Sequence, residues 1–159
     1  MAKVLIVYYS RSGNTAKMAE LVAEGAREVQ GADVTLKKVA EVDPKGLAHY
    51  DAIVCGSPTY YGLMAAEMKA LFDQSVVLHG RLEGKVGGAF TSAANLGGGN
   101  ETCIVSILQA MLIHGMIVQG TSQRDHYGPV AIGAPDERAR GECHKLGRNV
   151  ASLAARLAG

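Results

Sequence analysis

The sequence predicts a three-layer α/β domain built on a five-stranded parallel sheet of strand order 2-1-3-4-5. Three observations carry this. Apolar runs without polar alternation, at 4–9 and 52–56, read as strands covered on both faces. Between the runs, apolar residues recur at helical spacing. Strands and helices alternate along the chain, the pattern of right-handed crossovers that place helices on both sides of a parallel sheet. The 159 residues amount to about one domain, read as a single unit over 1–159 without repeat or linker.

The first strand is Val4-Leu5-Ile6-Val7-Tyr8-Tyr9. A polar loop from Ser10 to Thr15 leads into a helix whose apolar face is Met18, Val22, Ala26 and Val29, ending near Gly31. Val34–Val39 is a partly polar strand, placed at an edge. Asp43-Pro44 opens a short helical turn ending near His49. Ala52–Gly56 is the third strand, and Met64, Met68, Leu71, Phe72 and Ser75 trace the next helix face. Val86–Thr91 is a glycine-softened strand. Ile104, Ile107, Leu108, Met111 and Leu112 mark a helix that stops at His114-Gly115. Met116–Gln119 is the fifth strand, with Val130-Ala131-Ile132 as a segment that rejoins the sheet. A closing helix runs through Ala139, Cys143, Leu146, Val150, Leu153 and Leu157.

Composition narrows the function classes. Hydrophobic residues are 48% and charged residues 19%, ordinary globular usage. The net charge of +1 offers no field for gripping nucleic acid or an anionic membrane. No apolar run approaches the roughly 20 residues of a membrane span. The opening residues lack a signal-peptide core, and three cysteines without a CxxC pair argue against a disulfide framework. The expected setting is the cytoplasm. His49, His79 and His144 have no metal-ligand spacing, so no metal is expected.

In a sheet of this order, ligands sit beyond the carboxyl ends of the strands, where the strand order reverses. The loops there are rich in Ser, Thr, Gly, Asn and Tyr. Ser10-Arg11-Ser12-Gly13-Asn14-Thr15 places three hydroxyls before a helix N-terminus, where unpaired N–H groups and the positive dipole end favour a phosphate. A single hydroxyl would suffice for a helix cap, so the cluster favours anion binding. The Walker pattern is absent, and GxGxxG does not follow the first strand. A phosphoacceptor protein of this topology would need acids after strands 1 and 3, where Ser10 and Cys55-Gly56 stand.

The segment Ser10–Thr15 resembles the FMN phosphate loop of flavodoxins, [ST]-x-[ST]-G-x-[ST]. Further stretches resemble NAD(P)H:quinone oxidoreductases of the tryptophan-repressor-binding-protein (WrbA) type. They are 3–10, 50–53, Pro58-Thr59 with Gly62, Phe72-Asp73-Gln74, Gly97-Gly98-Gly99 with Glu101, His114-Gly115-Met116, and Tyr127-Gly128 with Ile132. The resemblance implies a flavodoxin-like fold and FMN held by Ser10, Arg11, Ser12, Gly13, Asn14 and Thr15. It implies that Pro58, Thr59, Tyr60, Tyr61 and Gly62 cover the flavin edge. Ser92, Ala93, Ala94, Asn95, Leu96, Gly97 and Gly98 would form a glycine-rich wall, and His114 would approach the ring. Relatives usually carry Thr and Gly where this chain has Ala94, Asn95 and Leu96.

The implied activity is two-electron transfer from NAD(P)H to quinones by a homo-oligomer, a dimer or tetramer, with no catalytic side chain of its own. Small molecules are the expected partners, with no nucleic acid and no membrane. Two other readings stand beside it. One is a one-electron carrier, which the near-neutral charge disfavours because carriers of this fold are usually strongly acidic. The other is a non-catalytic FMN-binding regulatory module. Arg124, Asp125, His126 and Tyr127 read as solvated loop residues that could line a nicotinamide or quinone site.

Overall fold

A computed structural model describes residues 1–159. The strands are β1 (Ala2–Tyr8), β2 (Ala32–Lys38), β3 (Ala52–Pro58), β4 (Val86–Ala93), β5 (Ile117–Val118) and β6 (Val130–Ile132). The helices are α1 (Asn14–Arg27), α2 (Ala66–Gln74), α3 (Asn100–Ile113) and α4 (Glu137–Leu157). All pairings are parallel, in the order β2-β1-β3-β4-β5, as the sequence predicts.

The fifth position is split. β5 pairs with Val86 and Gly87 at the start of β4, whereas β6 pairs with Thr91–Ala93 at its end. Residues 119–129 leave the sheet between the two pieces. Asp125 secures the return. Its carboxylate accepts from the Val130 N–H at 2.9 Å and from Arg138 Nη1 at 2.7 and 2.6 Å. Arg138 also donates to the Val130 carbonyl.

The uninterrupted apolar runs arise because each strand feeds two cores. Val4 and Ile6 of β1 face α1 and α4, while Leu5 and Val7 face the side of α2 and α3. In β3, Ala52 and Val54 go one way and Ile53 and Cys55 the other. This is the period of two in a strand buried on both sides. β2 is an edge strand with no fully buried residue, which explains its polar composition.

α1 and α4 lie close because both carry a glycine at their contact. A Cβ on Gly147 would collide with the Val22 carbonyl oxygen, and one on Gly25 with the His144 carbonyl oxygen. Backbone cannot yield as a flexible side chain can. We expect Gly147→Ala to cost about 1–3 kcal/mol through overpacking, read as a lower urea midpoint with unchanged slope. An unchanged midpoint would show that the helix contact is looser than described.

Candidate functional site

Helices α1 and α3 both begin at the carboxyl edge of the sheet, and both begin on a left-handed glycine. Gly13 has φ +99° and Gly99 φ +94°. Neither helix has a side-chain cap on its N-cap residue. In the β1–α1 loop, the Gly13 N–H donates to Ser10 Oγ at 3.1 Å. The N–H groups of Arg11, Ser12, Asn14, Thr15 and Ala16 find no acceptor in the chain. Five amides within residues 11–16 are therefore without partners. Backbone donors are rarely left this way unless water or a ligand takes them.

These residues open onto a cleft of about 280 Å³. Its walls come from Arg11, Ser12, Asn14 and Thr15, from Pro58, Thr59 and Tyr60, and from Ser92, Ala93, Ala94 and Gly133. A hydroxyl network ties the walls together. Buried Thr15 and Ser92 share a hydrogen bond of 2.8 Å. Thr59 and Thr91 share another of 2.8 Å, and Thr91 also donates to the Ser57 carbonyl. The Thr59 N–H donates to the Ser92 carbonyl and the Gly133 N–H to the Ala93 carbonyl, both at 2.8 Å. The three loops thus form one braced unit.

Beyond Tyr60 the chain makes a two-residue turn. Tyr60 and Leu63 exchange N–H···O bonds of 3.0 Å in both directions. The central residues, Tyr61 at φ +49° and Gly62 at φ +78°, are both left-handed, as a tight hairpin of this length requires. For glycine that is free of strain, but for a bulky tyrosine it is not. The turn is pinned where Thr102 Oγ1 donates to the Gly62 carbonyl at 2.6 Å. The strained position displays Tyr61 fully to solvent, outside the cleft lining. Tyr60 is steadied instead by an edge-to-face contact with Tyr9, ring centres 6.4 Å apart.

Two groups of the expected site residues lie away from this cleft. The segment Asn95–Gly98 does not line it. The buried Asn100 side chain accepts from the Gly97 N–H at 3.2 Å and donates to the Asn95 carbonyl at 3.4 Å, curling the loop onto the start of α3. Leu96 is left exposed beside a second cleft. His114 is also remote. It follows α3 at the end opposite the cleft, about 21 Å from Asn100 along a 14-residue helix. In the other direction, Gly133 and the bracing Thr91 were not identified from sequence. Gly133 reaches the cleft only because β6 rejoins the sheet beside β4.

His114 has a structural role of its own. Ser75 Oγ gives its single hydrogen to the Phe72 carbonyl at 2.6 Å, so it accepts from Nε2–H of His114 at 2.7 Å. Nδ1 is then an unprotonated acceptor, buried without a partner. Burial first, and neighbouring His79 second, hold the imidazole below its ordinary value of 6.5. The thiols are equally quiet. Burial pushes Cys55 and Cys143 up to about 12 and raises Cys103, so none is an activated nucleophile.

Known proteins place this geometry. The profile of the flavodoxin family matches residues 6–102. A flavodoxin of Aquifex aeolicus is 42% identical, over 98% of this chain and 88% of its own length. A Chromohalobacter salexigens protein named NAD(P)H dehydrogenase (quinone) is 37% identical over the full length of both chains. The solved WrbA-like flavodoxin of Agrobacterium tumefaciens superposes with a TM-score of 0.82 at 27% identity, covering 98% of this chain and 99% of its own. No helix is long and apolar enough to cross a membrane.

The His114 geometry gives a pH prediction. A folded-state pKa below the unfolded one means that the unfolded chain binds the proton better. Stability is whole above the ordinary value of 6.5 and is lost as pH falls through the folded pKa. Urea midpoints at about pH 7.5 and about pH 5 should differ less in His114→Gln than in the parent. An equal difference would contradict this role.

Proposed function

Because the chain belongs to the flavodoxin family, we propose that it is an FMN-dependent oxidoreductase passing two electrons from NAD(P)H to quinones. The observation that carries this reading is the set of five unpaired amides at the mouth of the β1–α1 loop. A phosphate ester needs several convergent donors, and uncharged N–H groups at a helix start provide them. The cleft fits FMN on this ground. The amides of 11–16 with the hydroxyls of Ser12 and Thr15 would hold the phosphate. Ser92–Ala94 would run beside the ribityl chain, and Pro58, Thr59 and Tyr60 would border the ring.

FMN, when bound, supplies the redox chemistry between nicotinamide and quinone. The chain's part is placement. The Thr15–Ser92 bond joins the phosphate end of the cleft to β4, and the Thr59–Ser92 bond joins β4 to the ring-bordering loop. Tyr9 holds the Tyr60 ring in one orientation. No side-chain nucleophile is called for, which agrees with the raised thiol pKa values.

The relative named NAD(P)H dehydrogenase (quinone), matched end to end, favours the enzyme. The Aquifex aeolicus relative named flavodoxin favours a carrier. Charge separates the two readings. A net charge of +1 lacks the acidic field by which a small carrier is steered to a basic partner.

Purified protein should carry FMN and oxidise NADH or NADPH with menadione or benzoquinone as acceptor. Donor and acceptor would use the site in turn, so double-reciprocal plots at several acceptor concentrations should be parallel. Bound FMN without turnover would favour a non-catalytic FMN-binding module, and converging lines would contradict alternate use of one site.

A further inference from the structure

Two further cavities flank the FMN cleft, and their charges differ. The larger, about 530 Å³, lies between the start of α3 and the 124–138 segment. It is lined by three carboxylates, Glu101, Asp125 and Asp136, against two guanidinium groups. One of those, Arg138, is already held by Asp125 and the Val130 carbonyl. Arg124 is in no ion pair, but the carboxylates of this cavity outnumber its guanidinium groups.

The other cavity, about 380 Å³, lies between the carboxyl ends of β1 and β2. Its chemistry is the reverse. Arg11 and Lys38 line it, with Tyr8, Tyr9 and Val39, and no carboxylate does. Neither cation takes part in any ion pair of the chain. Two acids lie nearby, and neither forms an ion pair with them. Glu41 turns back to accept from the Lys38 backbone N–H at 3.0 Å. Glu67 stands beside Tyr9, where it helps to raise the phenol pKa after burial. Lys38 sits directly across from Tyr8 in the sheet register, at the site edge.

The cavity also communicates with the FMN cleft. Arg11 lines both. Tyr9 of the cavity touches Tyr60 of the cleft. A ligand could therefore lie with one end in each.

We propose that this groove between β1 and β2 binds the 2′-phosphoadenosine end of NADPH, so that the chain prefers NADPH to NADH. The inference rests on the proposed NAD(P)H reading and deepens it. A nicotinamide dinucleotide presenting its reactive ring at the cleft must lodge a polyanionic tail nearby. Of the two flanking cavities, only this one has cations without carboxylates. At the end of the second strand an acid would repel a 2′-phosphate, whereas a cation accommodates it through charge-assisted hydrogen bonds. Here that end is Lys37-Lys38. The Tyr8 and Tyr9 rings give the adenine an aromatic surface.

The test uses FMN-loaded protein and two probes, 2′,5′-ADP and 5′-AMP, titrated by calorimetry. The parent should bind 2′,5′-ADP about tenfold tighter than 5′-AMP, the scale of one added charge-assisted contact. Lys38→Ala should abolish that difference while keeping its FMN and its thermal midpoint. Equal binding of the two probes by the parent, or an undiminished preference in Lys38→Ala, would overturn the proposal. Turnover separates it from the reading on which it rests. A Lys38-dependent preference in a protein that oxidises neither nucleotide would uphold the groove and remove the quinone reductase. Quinone-dependent oxidation of NADH and NADPH with equal KM would do the opposite.

Discussion

The site depends on one constraint: backbone N–H groups at the start of a helix must find acceptors, and in the β1–α1 loop the chain supplies almost none. Gly13 lets the backbone turn left-handed immediately before α1. The turn leaves the amides of Arg11, Ser12, Asn14, Thr15 and Ala16 together and unpaired. A dianionic ester satisfies several such donors at once, without the desolvation cost of burying a row of lysines.

The fold exists, in functional terms, to hold that loop against two others. Parallel pairing puts the ends of β1, β3 and β4 at one edge. The two apolar cores fix those strands from both faces. Short hydrogen bonds through Thr15, Ser92, Thr59 and Thr91 then join the loops side to side. The strained Tyr61 turn is tolerated because Thr102 and the mutual Tyr60–Leu63 bonds over-determine it. The split fifth strand adds Gly133 to the cleft, and the Asp125–Arg138 pair makes that return stable.

Much of this was legible in the residues. Val4–Tyr9 could be assigned because a strand buried on both faces leaves a continuous apolar run, and Met18, Val22 and Ala26 because a helix face recurs. The β1–α1 loop stood out as a candidate anion site because hydroxyls clustered where one cap would do. The rest lay in tertiary detail. Whether Asn95–Gly98 lined the cleft or curled away was decided by the Asn100 side chain, which no periodicity reports. His114 was expected at the flavin from resemblance alone, and in this chain its side chain meets Ser75. β5 and β6, at two and three residues, are too short to show a period, and only their pairing with β4 defines them.

The most direct measurement compares FMN with riboflavin, which differ only in the phosphate, by quenching of flavin fluorescence on binding to apoprotein at low and high salt. Neutral amides at the β1–α1 loop predict that FMN binds far more tightly than riboflavin, with a preference that salt weakens only slightly. Equal affinity for the two flavins, or a preference for FMN that high salt erases, would contradict the account.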